Sequence, residues 1–391
     1  MSQPSLTQAL RSSAVALPES GILKVFNYGR AKPGLVPLWA GEGDLPTPQF
    51  ICDAATRSMQ AGETFYTSNR GIPDLRQALA RYYSRLYGSP FSSEEFFVTG
   101  GGMQAIQLSV QALVGAGDEV IVPTPAWPNF AGAIGTQGGR VVPVRMNYTA
   151  DGWTLPLDAL FAAATEKTRA IIINSPANPT GWTASRDELA AILEFARARG
   201  IWIIADEIYT RFHFAGGLAP SFLEFRRPDD RIIFVNTFSK MWAMTGWRLG
   251  WLQAPPEIGQ VIENLVQYNT SGVAVFMQRA GIAALEEGEG FAREQIARAA
   301  AGRDIVTNAL AGSNKVRYVA PAGAFYAFFG IEGMGDSMAA ALRLVDEANI
   351  GLAPGTAFGD GGDAYFRICF LRSTDQLQEA MTRFGNWLKA G

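Results

Sequence analysis

Histidine and cysteine are almost absent from this sequence. Of its 391 residues, one is a histidine, His213, and two are cysteines, Cys52 and Cys369. A zinc site with the usual Cys and His ligands cannot be assembled from so few residues, and no metal is expected. Two cysteines far apart in sequence do not make the disulfide framework of a small secreted protein. We therefore expect a cytoplasmic protein.

Concentrated positive charge and long apolar segments are also missing. The formal net charge is −3, and lysine and arginine do not gather into a block. Nucleic acid and anionic membrane are therefore not expected as partners, because both require a concentrated positive field. No window approaches the roughly 18–20 uninterrupted apolar residues that span a bilayer. Residues 1–20 lack the basic start and apolar run of a signal peptide.

Short apolar segments alternate with helical stretches between about residues 95 and 252. The segments are 96–99, 120–123, 140–144, 170–174, 201–206, 232–236 and 248–252. Several are continuously apolar and rich in Ile and Val, as strands covered on both faces should be. We therefore predict an α/β fold with a mostly parallel sheet that is covered by helices on both faces. Ligands bind such sheets at the carboxyl ends of the strands.

A different pattern follows residue 255. Long helical stretches lead to three short strands and a final helix, at 315–319, 324–329, 365–370 and 374–389. This pattern is typical of a smaller α+β domain, and the chain length also suggests two domains. We predict a large domain at 48–288 and a small domain formed by 1–47 and 289–391.

Two helices of the predicted large domain are indicated by the residues at their ends. The helix predicted over 47–62 has Thr47 as a possible N-cap. The helix predicted over 73–87 begins with a proline, and Gly88 follows its end. Both helices precede the first strand of the predicted sheet.

Residues that directly follow the predicted strands are the candidates for a binding site. Gly100, Gly101 and Gly102 follow the first strand and open a helix, where close backbone approach and free N–H groups suit a phosphate. Trp127 follows the second strand and can offer its face to a flat ring. Asp206 ends an apolar strand, so its burial requires a partner such as a protonated heterocyclic nitrogen. Each signal alone also fits an ordinary turn or core residue.

Lys240 lies in the most informative segment of the chain, at 236–250. Its neighbours are mostly apolar or aromatic, and partial desolvation would lower the pKa of the amine and make it a usable nucleophile. Thr237, Ser239 and Arg248 add two hydroxyls and a guanidinium, which suit a phosphate.

These motifs together resemble the class I and II aminotransferases, a family of fold-type-I pyridoxal-phosphate enzymes. The segment S-K-x-x-x-x-x-G-W-R-x-G occupies 239–250 and N-P-T-G occupies 178–181, with D-E-x-Y between them at 206–209. The resemblance extends over nearly the whole chain, from Gly41 to Arg367. It implies an enzyme that moves an amino group from an L-amino acid to a 2-oxo acid such as 2-oxoglutarate or pyruvate.

The resemblance implies a set of residues that bind the cofactor. Lys240 is expected to form the Schiff base and to move the proton, and Asp206 to pair with the ring nitrogen. Tyr209 and Asn178 are expected to hydrogen-bond the phenolic oxygen. Trp127 is expected to stack on the ring, where many relatives carry Tyr or Phe. The phosphate is expected to contact Gly101, Gly102, Met103, Thr237, Ser239 and Arg248.

The resemblance also implies a substrate site and a homodimer. Arg367 is expected to hold the substrate α-carboxylate through a bidentate contact, assisted by Asn178 and the Gly41 backbone. Trp127 is expected to face the substrate as well as the cofactor. Tyr66 matches a tyrosine that reaches the phosphate of the neighbouring subunit, which implies active sites shared between two subunits.

The class of amino donor is predicted from residues that would face its side chain. Some dicarboxylate-preferring relatives carry lysine where this chain has Met103, and no second cation for a distal carboxylate is evident. The segment 21–28 is mostly apolar and aromatic. We therefore expect a neutral donor with a hydrophobic or aromatic side chain.

Two alternative functions use the same residues. A β-lyase or synthase reaction on this fold would also require Lys240, Asp206 and Arg367. A pyridoxal-phosphate-binding regulatory domain would need an attached DNA-binding domain, whereas only 40 residues precede Gly41 and none forms a basic recognition helix. Aminotransfer is favoured by its frequency in the family, which is an argument by analogy.

Overall fold

A seven-stranded sheet forms the centre of the computed structural model, which describes residues 6–390. Its strands, in spatial order, are Phe96–Thr99, Gly250–Gln253, Ile232–Thr237, Trp202–Asp206, Thr168–Asn174, Glu119–Thr124 and Arg140–Arg145. Gly250–Gln253 runs antiparallel to both of its neighbours, and the remaining pairs are parallel. The seven predicted strands and the mostly parallel sheet are confirmed.

The central strands are apolar throughout because helices cover both faces of the sheet. In Thr168–Asn174, Ile171 and Ile173 pack on the side of helix Arg186–Arg199. Ile172 packs on the opposite side, with helix Gly102–Leu113. Alternate residues of a strand point to opposite faces, so burial of both faces requires an uninterrupted apolar run.

The other helices around this sheet are Gln49–Gln60, Pro73–Tyr87, Asn129–Thr136, Leu157–Ala162, Gly259–Gln267 and Val275–Glu287. A short hairpin, Asn147–Thr149 with Gly152–Thr154, was not predicted. Within residues 6–390, no helix combines the length and the hydrophobicity needed to cross a membrane.

A smaller antiparallel sheet is built from the C-terminal part of the chain. Its strand order is Val316–Arg317, Tyr326–Ile331, Tyr365–Cys369 and Ala353–Pro354. The accompanying helices are Glu289–Ala311, Ser337–Arg343 and Thr374–Ala390. The predicted α+β pattern of this region is therefore confirmed, although the short strand Ala353–Pro354 was not predicted.

The N-terminal segment packs with this smaller sheet. Val36–Pro37 pairs in parallel with Ile350–Gly351, and helix Gly21–Gly29 contacts helix Ser337–Arg343. These contacts support one small domain formed by both ends of the chain. The division at 48–288 stays a prediction, and residues 1–5 and 391, which were predicted to belong to the small domain, lie outside the described residues.

The two predicted helix boundaries have different outcomes. Helix Pro73–Tyr87 matches its prediction, and Gly88 has the left-handed φ of 67° that favours glycine. The helix predicted over 47–62 spans Gln49–Gln60, and Thr47 is not its N-cap. Thr47 Oγ1 instead donates to the Ala243 carbonyl at 2.6 Å and accepts from Trp247 Nε1 at 2.9 Å. A tertiary contact with the loop after Lys240 therefore uses the hydroxyl that was predicted to cap the helix.

Candidate active site

A cleft of about 470 Å³ lies at the carboxyl ends of the central parallel strands. Asn174, Asp206 and Thr237, the last residues of three of these strands, line it. Tyr326 and Arg367 line it from the smaller sheet. The cleft therefore lies at the sheet edge where ligands were expected, with a wall from each sheet.

Most of the predicted site residues meet in this cleft. Its lining includes Gly41, Gly102, Met103, Trp127, Asn178, Asp206, Tyr209, Thr237, Ser239, Lys240, Arg248 and Arg367. Gly101 adjoins the lining, because a Cβ atom at this residue would lie 2.7 Å from Arg248 Nη2. Tyr66 lies outside the lining and is 94% exposed.

Lys240 follows the strand Ile232–Thr237 and directs its amine into the cleft. Its Nζ donates a hydrogen bond to the Gly41 carbonyl at 2.7 Å. Burial lowers the pKa of Lys240 to about 8, because desolvation penalises the ammonium form. A fraction of the amine is therefore neutral near pH 7, as a nucleophile or a general base requires.

Asp206 places a buried carboxyl group at the floor of the cleft. The Ile208 N–H donates to this carboxyl at 3.4 Å, which is a long contact. Burial raises the pKa of Asp206 to about 7, and the charge of Lys240 opposes this shift. A cation bound in the cleft would stabilise the ionised form.

A cradle for an anion surrounds the start of helix Gly102–Leu113. Gly101 has a φ of 87°, which favours glycine, and a Cβ atom at this residue would displace the Arg248 guanidinium, since it would lie 2.7 Å from Nη2. Thr237 Oγ1 donates to Ser239 Oγ at 2.9 Å, so two hydroxyls lie side by side. The helix N-terminus adds free N–H groups and the positive end of its dipole. These donors suit a phosphate.

Arg367 is buried in the strand Tyr365–Cys369 and faces the same cleft. Its Nη1 donates to Asn178 Oδ1 at 2.9 Å, and its Nη2 donates to the Trp39 carbonyl. Its Nε has no hydrogen-bond partner within residues 6–390. The rings of Tyr326 and Phe358 lie 4.7 and 5.0 Å from the guanidinium. Because these partners are all neutral, an anionic ligand would compensate the charge of Arg367.

These groups fit pyridoxal phosphate. The amine of Lys240 matches the aldehyde, and the anion cradle matches the phosphate. The fit is tested by Asp206, a buried carboxyl that accepts one long backbone hydrogen bond and that a protonated ring nitrogen would satisfy. Trp127 is half-buried in the cleft wall, its ring 5.5 Å from that of Phe130 in a T-shaped contact.

Several residues that hold this site were not predicted. Asn174 Oδ1 accepts the Asn178 N–H at 2.8 Å, and Asn174 Nδ2 donates to the Asp206 backbone carbonyl at 3.0 Å. Asn174 ends a predicted strand, so the strand-end rule could have identified it. Trp39 acts through its carbonyl oxygen, which leaves no trace in the sequence. Tyr326, whose hydroxyl lies 2.7 Å from that of Tyr209, belongs to none of the predicted motifs.

Comparisons with known proteins place these motifs in one family. A family model described as aminotransferase class I and II matches residues 33–384. The chain is 35% identical to an aspartate aminotransferase of Pyrococcus horikoshii over 371 residues, which cover 94% of each protein. It is 33% identical to aromatic-amino-acid aminotransferase 2 of Thermococcus litoralis over 373 residues, covering 95% of this chain and 96% of the relative.

A solved structure shows the same likeness. The crystal structure of an aspartate aminotransferase from Thermotoga maritima matches with a TM-score of 0.91 and 32% identity. The match covers 97% of this chain and 100% of that chain. The similarity therefore extends over both sheets and over the cleft between them.

Asp206 provides a prediction about pH and stability. Its pKa in the folded protein is about 7, whereas an aspartate in an unfolded chain has a pKa of about 4. The folded protein therefore holds this proton more tightly. The contribution of this protonation to the free energy of unfolding is fully present below about pH 4 and is lost as the pH rises through about 7.

We expect cofactor-free Asp206→Asn protein to be more stable than the cofactor-free wild type at pH 8, by about 2–4 kcal/mol. The difference should narrow as the pH falls and approach zero near pH 4. Urea unfolding of both proteins across this range measures it. A difference that stays constant with pH would contradict the assignment.

Proposed function

This chain belongs to the aminotransferase class I and II family and is a pyridoxal-phosphate-dependent aminotransferase of amino acids and 2-oxo acids, and from that premise we propose that its preferred amino donor is neutral, with a hydrophobic or aromatic side chain. The family relationship favours aminotransfer over the β-lyase or synthase alternative. Relatives named for aspartate and for aromatic amino acids are about equally similar, so the donor has to be inferred from the cleft.

The distribution of cations in the cleft carries this proposal. The cationic side chains in its lining, within the described residues, are Lys240, Arg248 and Arg367. Each has a proposed partner, namely the cofactor aldehyde, the cofactor phosphate and the substrate α-carboxylate. Within the cleft of one subunit, none remains for a second carboxylate on the donor, and a buried carboxylate without a partner is costly.

The rest of the lining supports the same donor class. Ile22, Leu23 and Met103 offer apolar surface, and Trp127 offers an aromatic face. The side-chain amide of Asn129 is engaged by a neighbouring residue, because its Nδ2 donates to Met103 Sδ at 3.4 Å. A hydrophobic or aromatic side chain would be buried favourably against this surface.

The proposed mechanism assigns a separate task to each polar residue. Bound pyridoxal phosphate supplies an aldehyde that condenses with amines and a ring that accepts electrons from the substrate Cα. Lys240 Nζ removes and returns the proton at Cα, for which its lowered pKa provides a neutral amine. Asp206 keeps the ring nitrogen protonated. Arg367 orients the substrate through its α-carboxylate, assisted by Asn178 and the Gly41 backbone.

Tyr209 is proposed to donate a hydrogen bond to the phenolic oxygen of the cofactor, together with Asn178. Burial raises the pKa of Tyr209 well above its usual value, so its hydroxyl keeps the proton that it donates. Trp127 is proposed to stack on the ring. The phosphate is proposed to bind the cradle formed by Gly101, Gly102, Met103, Thr237, Ser239 and Arg248.

We also propose a homodimer with shared active sites. Phe65, Tyr66 and Tyr268 are 83%, 94% and 89% exposed. Large aromatic side chains that are exposed close to one another are typical of a protein–protein interface. Their segments adjoin, because Asn69 Nδ2 donates to Gln267 Oε1 at 2.7 Å. This aromatic patch also adjoins the anion cradle. Gln104, in the helix that begins at the cradle, donates to Asn269 and Thr270, which directly follow Tyr268. Tyr66 is proposed to reach the phosphate in the partner subunit.

A cytoplasmic location is proposed on chemical grounds. Cys52 and Cys369 are both unpaired, and free thiols persist in a reducing compartment. Nucleic acid and membrane are not among the proposed partners. Both would require a concentrated positive field, which the charge distribution of this sequence does not provide.

The donor class is tested by comparing kcat/KM for phenylalanine, leucine, alanine and aspartate with 2-oxoglutarate or pyruvate as the acceptor. The wild type should prefer the neutral donors. Met103→Lys should raise the aspartate-to-phenylalanine ratio about 10- to 100-fold, because a charge-assisted hydrogen bond contributes about 1.5–3 kcal/mol. Met103→Leu, which adds no charge, is the control. A strong aspartate preference of the wild type would overturn the proposal.

The role of Arg367 is tested by Arg367→Lys, which keeps the charge and removes the planar fork. We expect kcat/KM for every amino donor to fall about 100-fold, because bidentate binding of the α-carboxylate is lost. Arg317→Lys, an exposed substitution in the neighbouring strand pair, should leave kcat/KM within about twofold. Equal effects of the two substitutions would contradict the role.

The shared active site is tested with hybrid dimers of Lys240→Ala and Tyr66→Ala chains. Each variant alone should have little activity, whereas a hybrid restores one intact site from Lys240 of one chain and Tyr66 of the other. Random exchange makes about half of the dimers hybrids, so the mixture should regain about a quarter of wild-type activity. A mixture no more active than its two components would exclude sharing through Tyr66.

A further inference from the structure

Tyr326 occupies a central place in the cleft, and none of the proposed mechanistic steps uses it. It begins the strand Tyr326–Ile331 of the smaller sheet and is completely buried. Its hydroxyl lies 2.7 Å from the hydroxyl of Tyr209. Its ring lies 4.7 Å from the Arg367 guanidinium. One side chain therefore contacts both the proposed donor to the cofactor oxygen and the proposed substrate clamp.

The direction of the hydroxyl contact follows from the proposed role of Tyr209. A tyrosine hydroxyl has one proton to donate. If Tyr209 donates that proton to the cofactor oxygen, its hydroxyl oxygen must accept the proton of Tyr326. Two hydrogen bonds in series strengthen each other. Tyr326 would therefore make Tyr209 a stronger donor to the cofactor.

The contact with Arg367 is of a different kind. The ring faces of Tyr326 and Phe358 lie near the guanidinium, and Arg367 Nη1 is held by Asn178. Cation–π contacts attract the guanidinium to the rings and help to orient its plane. The aromatic ring of Tyr326, rather than its hydroxyl, therefore positions the fork that would receive the α-carboxylate.

Gly41 shows how closely the Tyr326 hydroxyl is accommodated. A Cβ atom at Gly41 would lie 2.6 Å from Tyr326 Oη, too close for a real contact. The same glycine accepts the hydrogen bond from Lys240 Nζ through its carbonyl. A glycine at this position therefore leaves room for the hydroxyl beside the reactive amine.

We propose that Tyr326 is a positioning residue that serves the cofactor side and the substrate side of the cleft through two separable parts. Its hydroxyl strengthens the hydrogen bond from Tyr209 to the cofactor oxygen, and its ring orients Arg367. This inference rests on the proposed roles of Tyr209 and Arg367. It makes Tyr326 a link between the two sheets that form the site.

The hydroxyl is tested by Tyr326→Phe in the holoenzyme, with visible absorption followed across pH. When the cofactor is bound, this absorption reports whether Lys240 Nζ carries a proton. A weaker Tyr209 hydrogen bond leaves more negative charge on the adjacent phenolic oxygen, which holds that proton to higher pH. We expect the midpoint to rise by about 0.1–0.7 pH unit, because a hydrogen bond to a charged oxygen contributes about 1.5–3 kcal/mol and its partner in series strengthens it by about 10–30%.

The ring is tested by comparing Tyr326→Phe with Tyr326→Leu. Tyr326→Phe keeps the ring, so KM for the amino donor should stay within about twofold of the wild type. Tyr326→Leu removes it and should raise KM about 3- to 10-fold, as expected for a lost cation–π contact. The substitution Tyr318→Phe is the matched control. It removes a hydroxyl bonded to Thr307 Oγ1 at 3.1 Å, outside the cleft lining, and should change neither readout.

A compensating pair tests the packing at Gly41. Gly41→Ala should weaken cofactor binding, measured by quenching of protein fluorescence as pyridoxal phosphate is added to the cofactor-free protein. Gly41→Ala combined with Tyr326→Phe should regain part of the affinity, because the clashing oxygen is absent. If the double variant binds no better than Gly41→Ala alone, the hydroxyl does not occupy this space in the functional enzyme.

The outcomes separate this inference from the proposed function. A wild-type midpoint in Tyr326→Phe, together with a wild-type KM in Tyr326→Leu, would overturn the role of Tyr326 while the enzyme still binds cofactor and transaminates. If the wild type itself gains no visible absorption with pyridoxal phosphate, the proposed roles of Lys240 and Tyr209 fail first.

Discussion

A buried carboxyl group and a buried guanidinium face one cleft without pairing with each other, and the organisation of the site depends on this constraint. Asp206 accepts one long hydrogen bond from a backbone N–H, and Arg367 is surrounded by amide, carbonyl and aromatic groups. Isolated buried charges are costly. A ligand with a cationic ring nitrogen at one end and a carboxylate at the other would relieve both, which supports the proposed binding of cofactor and substrate side by side.

The two sheets divide this task between them. Asn174, Asp206 and Thr237 end neighbouring parallel strands, and parallel strands necessarily bring their carboxyl ends to one edge. The smaller sheet supplies Tyr326 and Arg367 from the opposite side. The cofactor would therefore be held mainly by the large sheet and the substrate mainly by the small one. Contacts that cross the cleft, such as the hydrogen bond between Arg367 and Asn178, fix the position of one wall relative to the other.

The amine of Lys240 depends on the same arrangement. Its desolvation comes from burial among the residues that line the cleft, and its hydrogen-bond acceptor is the Gly41 carbonyl, 199 residues away in sequence. Thr47 joins the same N-terminal segment to the loop after Lys240. Folding of the N-terminal segment onto the cleft therefore helps to bury the amine, and this burial lowers its pKa.

Local patterns in the sequence were sufficient for the seven strands, the helix Pro73–Tyr87, Asp206 at a strand end and Lys240 three residues after another, because apolar runs and turn chemistry act over a few residues. The assignment of Arg367 required the family resemblance. Only the tertiary structure showed that Thr47 binds a distant loop, that the Trp39 carbonyl holds Arg367 and that Tyr326 joins two site residues. A backbone carbonyl is the same in every residue, and a contact between residues far apart in sequence leaves no local pattern, so packing alone decided these interactions.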